Sequence, residues 1–144
     1  MVTDFDREAL AQSLRVNEGF RAQVYKDSLG LWTIGYGRLV DPSRPGSGIS
    51  KDEAEVLLQN DIAKKVAEVR AALPWVADLS DARQRVLYEM AFQLGTAGLL
   101  GFKNTLAAIK AGNWQSAHDG MLASLWAKQT PSRAREMAAR MLKG

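Results

Sequence analysis

The chain has 144 residues, 47% hydrophobic and 24% charged, a balance that suits one domain or two small lobes on one chain, at a length where folding buries roughly 68–70% of the unfolded surface without a disulfide or metal staple. It has no cysteine and one histidine, His118, which excludes disulfide scaffolds, cysteine nucleophiles, thiolate metal sites and two-histidine metalloprotease motifs, and leaves an enzyme to work with carboxylates, hydroxyls, lysines or borrowed ions. The net charge of +3 is uneven, with ten Lys and Arg against eleven Asp and Glu in residues 1–73 and nine against five in residues 74–144, so the second half is the basic one and suits an anionic polymer.

The N-terminal Met1-Val-Thr-Asp-Phe-Asp has no basic leader followed by an apolar run, and no stretch reaches the ~18 apolar residues of a membrane span. The chain is therefore expected to accumulate in the cytoplasm. Residues 5–19 carry Phe5, Leu10, Leu14 and Val16 at mixed helical spacing, with Gly19 as the stop. From Val24 to Val40, β-branched and aromatic residues punctuated by Gly30, Gly35 and Gly37 predict a small antiparallel hairpin or three-stranded meander, and Asp41–Gly48 is a loop.

Ser50 and Glu53 form a capping-box pattern that starts a helix running through Leu58, Ile62, Val66 and Val69 to Leu73, with Pro74 beyond it. At 1.5 Å per residue such a helix is roughly 35 Å long, enough to bridge two lobes. Helices follow over Asp81–Leu94 with Gly95 past the end, a short one ending near Gly112, and Trp114 to about Leu125. The last helix opens with Thr130 as N-cap and Pro131 in the first turn. Its apolar face is Ala134, Met137, Ala138, Met141 and Leu142. The fold class is α+β, mainly α: an N-terminal lobe of about 1–60 with the small sheet, a connecting helix of about 50–73 and a helical C-terminal lobe of about 74–144.

Glu18 ends the first helix, Asp27 sits in the first strand, and Thr33 lies on the next strand. A loop centred on Gly30 pairs Asp27 with Thr33 across the hairpin; a two-residue turn pairs it with Trp32 instead. One carboxylic acid, one carboxylate and a hydroxyl that orients water are the parts of a glycosidase. The division of labour calls for unlike surroundings, Glu18 partly buried with a raised pKa and Asp27 polar and ionised. Two acids at this spacing are weak evidence by themselves.

The residues around them narrow the choice. Asn17-Glu18-Gly19-Phe20-Arg21, Tyr25-Lys26-Asp27-Ser28-Leu29-Gly30 and Trp32-Thr33-Ile34-Gly35-Tyr36-Gly37 resemble the phage-type lysozymes, glycoside hydrolase family 24, whose pattern E-x8-(D/C)-x5-T is met by Glu18, Asp27 and Thr33. Ser50–Glu55, Asn60-Asp61, Phe92–Gly95, Gly101–Leu106 and Trp126–Ala134 resemble further family blocks in order, so the likeness covers nearly the whole chain. It implies a two-lobed lysozyme-like fold and a cofactor-free, metal-free muramidase. Its cut is the β-1,4 bond between N-acetylmuramic acid and N-acetylglucosamine, as an endolysin. By the same likeness Glu18 is the general acid, Asp27 the base or electrostatic partner, and Thr33 a holder of water. Leu39, Phe92 and Thr105 line the glycan cleft; Gln93, Trp126 and Gln129 fall in blocks packed around it. For Phe92 and Trp126 a core role competes, and for Gln93 and Gln129 a buried amide bonded to backbone. The partner is peptidoglycan, not nucleic acid and not an inserted membrane; the protein is a monomer that waits in the host cytoplasm for a holin-like protein. Inversion is implied, with retention or transglycosylase chemistry depending on the carboxylate separation.

Where the family commonly has histidine after its Gly-x-Gly, this chain has Arg38, expected to pair with Asp61 and so to lack a titration step near neutral pH. Gly120 replaces a polar substrate contact of some relatives, the Asp41–Gly48 loop is short, and His118 is left on a helix surface. A second reading makes the basic Thr130–Gly144 helix an interfacial helix of a cationic wall- or membrane-binding protein; the competing view is that its apolar face completes the core.

Overall fold

The computed structural model describes residues 5–144; Met1–Asp4, at the start of the expected leaderless N-terminus, and the Leu10 side chain of the first apolar stripe lie outside the described residues. Helix α1, Arg7–Glu18, starts where the Asp6 carboxylate accepts from the Ala9 N–H at 2.9 Å. It stops where Gly19, at φ 68°, returns its N–H to the Arg15 carbonyl. Strands β1 (Arg21–Lys26), β2 (Trp32–Gly35) and β3 (Arg38–Leu39) follow as an antiparallel meander in that order, as the composition of residues 24–40 predicts.

The hairpin register differs from both expectations. Tyr25 stands opposite Thr33 and Lys26 opposite Trp32, while the Asp27 N–H donates to the Leu31 carbonyl at 2.9 Å. The connection is therefore the three residues Ser28-Leu29-Gly30, with Gly30 at φ 78° taking the left-handed position that such hairpin loops require. Asp27 is the first residue past β1 rather than a strand residue, and Thr33 is its diagonal neighbour on the same face rather than its direct partner.

Helix α2, Lys51–Ala72, begins with the expected capping box: the Ser50 N–H donates to Glu53 Oε1 (3.0 Å) and the Glu53 N–H to Ser50 Oγ (3.1 Å). Pro74 ends it and opens a 3₁₀ turn, Pro74–Asp78. Helix α3, Asp81–Leu100, breaks helical geometry at Gly95 (φ 78°, ψ 159°), the expected stop, but resumes for a further turn. Helix α4 is Lys103–Lys110. The helix expected from Trp114 to about Leu125 ends earlier as α5, Trp114–Leu122, and a short helix that was not expected follows, α6, Leu125–Gln129, capped where Ser124 Oγ accepts from the Ala127 N–H.

Helix α7, Pro131–Lys143, carries Thr130 at its N-cap position and Pro131 in its first turn as expected, but the Thr130 side chain makes no capping bond. The Thr130 hydroxyl donates backward to the Trp126 carbonyl at 3.0 Å, closing α6. Ala134, Met137, Ala138 and Met141 are buried against α3, α5 and α6, and Leu142 is left exposed. The apolar face of α7 therefore completes a core, which removes the surface that the interfacial-helix reading needs.

The described chain forms two compact units, one ending at Glu55 and holding the sheet, the other spanning Val56–Gly144. The fully buried hydrophobic side chains run from Val69 to Met141, so the main core belongs to the second unit. No helix among the described residues is long and apolar enough to cross a membrane. His118, on α5, is partly buried with Nδ1 2.8 Å from Asp119 Oδ1.

Candidate active site

Glu18 is the last residue of α1. Its carboxylate lies against the β2–β3 turn, where a methyl group on Gly37 would sit 2.7 Å from Oε2 and 2.8 Å from Cδ. Gly37 also has φ 76°, a conformation that suits glycine, so both its geometry and its bareness make room for the acid. The expectation of partial burial is not met: Glu18 is exposed, because Gly19 turns the chain away directly after it.

Asp27 is half-buried and held by the loop it starts. Its Oδ1 accepts from the backbone N–H groups of Leu29 and Leu31, both at 2.9 Å, an Asx turn that fixes the carboxylate and leaves Oδ2 for other work. Thr33 is buried, and its hydroxyl donates to the Leu31 carbonyl at 3.1 Å. With its proton given to Leu31, the Thr33 oxygen keeps lone pairs that can accept a hydrogen bond. Leu31 thus ties the two side chains together, donating its N–H to Asp27 and accepting the Thr33 hydroxyl at its carbonyl. Leu39 joins the group by pairing with Thr33 across β2 and β3, and its carbonyl takes the Gly48 N–H at 2.9 Å. Glu18, Asp27, Thr33 and Leu39 are therefore placed by one small sheet and the helix end beside it. An acid, a base and a hydroxyl acceptor are the parts for activating a water.

Arg38 does not use Asp61. Its guanidinium grips Glu53 with both forks, Nη2 to Oε1 at 2.7 Å and Nη1 to Oε2, while Nε donates to the Gly48 carbonyl at 2.8 Å. Asp61 is exposed beside Lys64, Lys65 and Glu68, eight residues or about 12 Å further along α2. The Arg38 bond, followed by those from the Ser50 backbone and hydroxyl, pulls the Glu53 carboxyl down to about 2. The signal was in the capping box itself: a Glu whose position is fixed by its own helix start is a ready partner for the nearest cation.

The other expected contacts lie in the second unit. Trp126 is buried, edge-on to Phe102, and its indole N–H donates to Gln93 Oε1 at 2.9 Å. The Gln93 amide thus bonds a side chain rather than backbone. Gln129 is exposed and lines a shallow pocket of about 340 Å³ with Trp126, Leu94 and Ser124. Thr105 is buried under Gly120, where a Cβ would come within 2.5 Å of its hydroxyl, so the close approach of α4 and α5 needs glycine at 120. Phe92 is 45% exposed and lines a separate groove of about 430 Å³ with Leu58, Ile62 and Tyr88. The structure therefore brings Gln93, Trp126 and Gln129 together. For Trp126 the competing core role is the observed one.

A family model described as phage lysozyme matches residues 15–141. The pre-baseplate central spike protein Gp5 of Enterobacteria phage T4 is 33% identical over 162 residues, covering 94% of this chain and 28% of its own. The probable T4-type lysozyme 1 of Dictyostelium discoideum is 27% identical over 151 residues, 88% of this chain and 89% of its own. The endolysin of Bacillus phage B103 is 32% identical over 107 residues, 73% of this chain and 40% of its own. The chain thus spans under a third of the spike protein and most of the Dictyostelium protein.

Proposed function

The chain belongs to the phage lysozyme family, and we propose that it is a peptidoglycan-cleaving glycoside hydrolase that cuts the β-1,4 bond between N-acetylmuramic acid and N-acetylglucosamine through Glu18, Asp27 and Thr33. Glu18 gives its proton to the leaving glycosidic oxygen. Asp27, through Oδ2, takes a proton from the attacking water, and the lone pairs of the Thr33 hydroxyl hold that water in line. The observation that carries this reading is the backbone clamp at Leu31, which locks a carboxylate and a hydroxyl acceptor on one face. A single displacement by that water inverts the anomeric centre. The two carboxyl groups supply all the proton chemistry, so the proposed reaction uses no cofactor.

In the same reading Leu39, Phe92, Thr105 and Gln129 serve glycan binding, Gln93 and the buried Trp126 brace the pocket wall beside Gln129, and residues of about 1–60, 50–73 and 74–144 are the N-terminal lobe, interlobe helix and helical lobe of a single lysozyme-like catalytic domain. The basic second half complements the anionic wall polymer. The biological role is that of an endolysin, a monomer held in the host cytoplasm until a holin-like protein opens the way to the wall. Digestion of purified peptidoglycan tests the reaction: new reducing ends at N-acetylmuramic acid, formed first as the α anomer, are expected. Products with 1,6-anhydro ends and no reducing ends point to a transglycosylase and overturn it.

A further inference from the structure

Phe20 and Tyr36 are two large aromatic side chains left open to solvent beside the acid, 65% and 52% exposed. Their ring centroids are 5.6 Å apart with planes tilted by 50°, so they form one angled surface rather than two separate rings. Their positions in the chain place that surface. Phe20 is two residues past Glu18, and Tyr36 directly precedes Gly37, the residue against which the Glu18 carboxylate lies. A closed circuit runs from Glu18 through the backbone to Phe20, across the ring contact to Tyr36, and along one peptide to Gly37. It then returns to the carboxylate.

We propose that the Phe20–Tyr36 pair is a sugar-stacking surface that seats one pyranose ring of the glycan next to the Glu18 carboxyl; this rests on the catalytic reading given above. An N-acetylhexosamine has an apolar side of C–H bonds that carry partial positive charge. The face of an aromatic ring carries partial negative charge, so the two attract in addition to burying apolar area. A saccharide is an occupant that an isolated apolar patch here would not by itself specify. The specification comes from the adjoining acid, because a glycan whose bridging oxygen reaches Glu18 must lay a neighbouring sugar within a few ångströms of it. Both residues act on substrate position, not on proton transfer.

The test is the kinetics of Phe20→Leu, Tyr36→Leu and Tyr36→Phe on peptidoglycan, with thermal unfolding as a check on the fold. Either leucine variant is expected to raise KM by about three- to tenfold with little change in kcat, and Tyr36→Phe to stay close to the parent protein. An unchanged KM in both leucine variants overturns the proposal. So does a loss confined to kcat, or a Tyr36→Phe variant as impaired as Tyr36→Leu. If the leucine variants fail to fold, Glu18→Gln protein titrated with an N-acetylglucosamine oligosaccharide is followed by NMR. Shifts of the Phe20 and Tyr36 ring signals support the surface, and unshifted rings reject it. Hydrolysis that persists in Glu18→Gln overturns the catalytic reading instead and is told apart by that assay alone.

Discussion

Gly37 lacks a side chain in the place where the Glu18 carboxylate rests, and its backbone sits in the left-handed region. Gly37→Ala puts a methyl group 2.7 Å from Oε2 while imposing a φ of 76° on an L side chain. The backbone penalty is about 1–2 kcal/mol, readable by urea denaturation. Displacement of the acid should cut the rate of wall lysis about 10- to 100-fold, since misplacement on the scale of 1 Å is enough for that. Full activity in a folded Gly37→Ala protein would show that the carboxylate does not work from this position. At this scale the sequence was legible in kind but not in surroundings. The family likeness around Glu18, Asp27 and Thr33 singled out three side chains that one small sheet and the adjoining helix end hold, and the three glycines marked turns. That Glu18 is open to solvent was not legible, because exposure depends on where the chain goes after Gly19. The Leu31 clamp was hidden for a related reason: it is made of backbone groups, which leave no mark on composition.

Among the elements, the start of α2 was read well and its partner badly. Ser50 and Glu53 cap each other as their spacing requires, yet Arg38 was expected on Asp61 because the motif gives the residue pair and not the helical turn that faces β3. The observed Arg38–Glu53 bond carries its own pH signature. Glu53 is pulled from an ordinary 4.5 to about 2 in the folded protein, so its contribution to stability is present above pH ~4.5 and is lost as pH falls toward 2. Glu53→Gln protein should therefore unfold more easily than the parent at pH 6, with the gap closing as both are taken to pH 2. A gap that does not change with pH would remove the ion pair from the account. Arg38 stays charged throughout, so this contact brings no step near neutral pH, as the replacement of histidine suggested. Register and short helices were the other misses. The three-residue loop and the two-residue turn leave similar sequence marks, and Ser124 splits α5 from α6 inside an otherwise helical run.

For the whole molecule, composition reached furthest. A chain without cysteine and with one histidine was left with carboxylates, hydroxyls, lysines or borrowed ions, and its charge suited an anionic polymer. The mainly helical α+β class and the three-stranded meander follow from periodicity and are observed. The basic helix α7 is where a second function had been conceivable. With Met137 and Met141 at 2% and 0% exposure, its apolar face belongs to the core and not to a membrane. Its charged face remains available to the wall, so binding and cutting have to be separated by experiment. Lysis of cell walls by Glu18→Gln protein, compared with the parent at equal wall-bound amounts, does this most directly. The account predicts unchanged binding and a loss of lytic rate of about 10²- to 10⁴-fold, the range expected for removing a general acid. Undiminished lysis by a folded Glu18→Gln protein would contradict it.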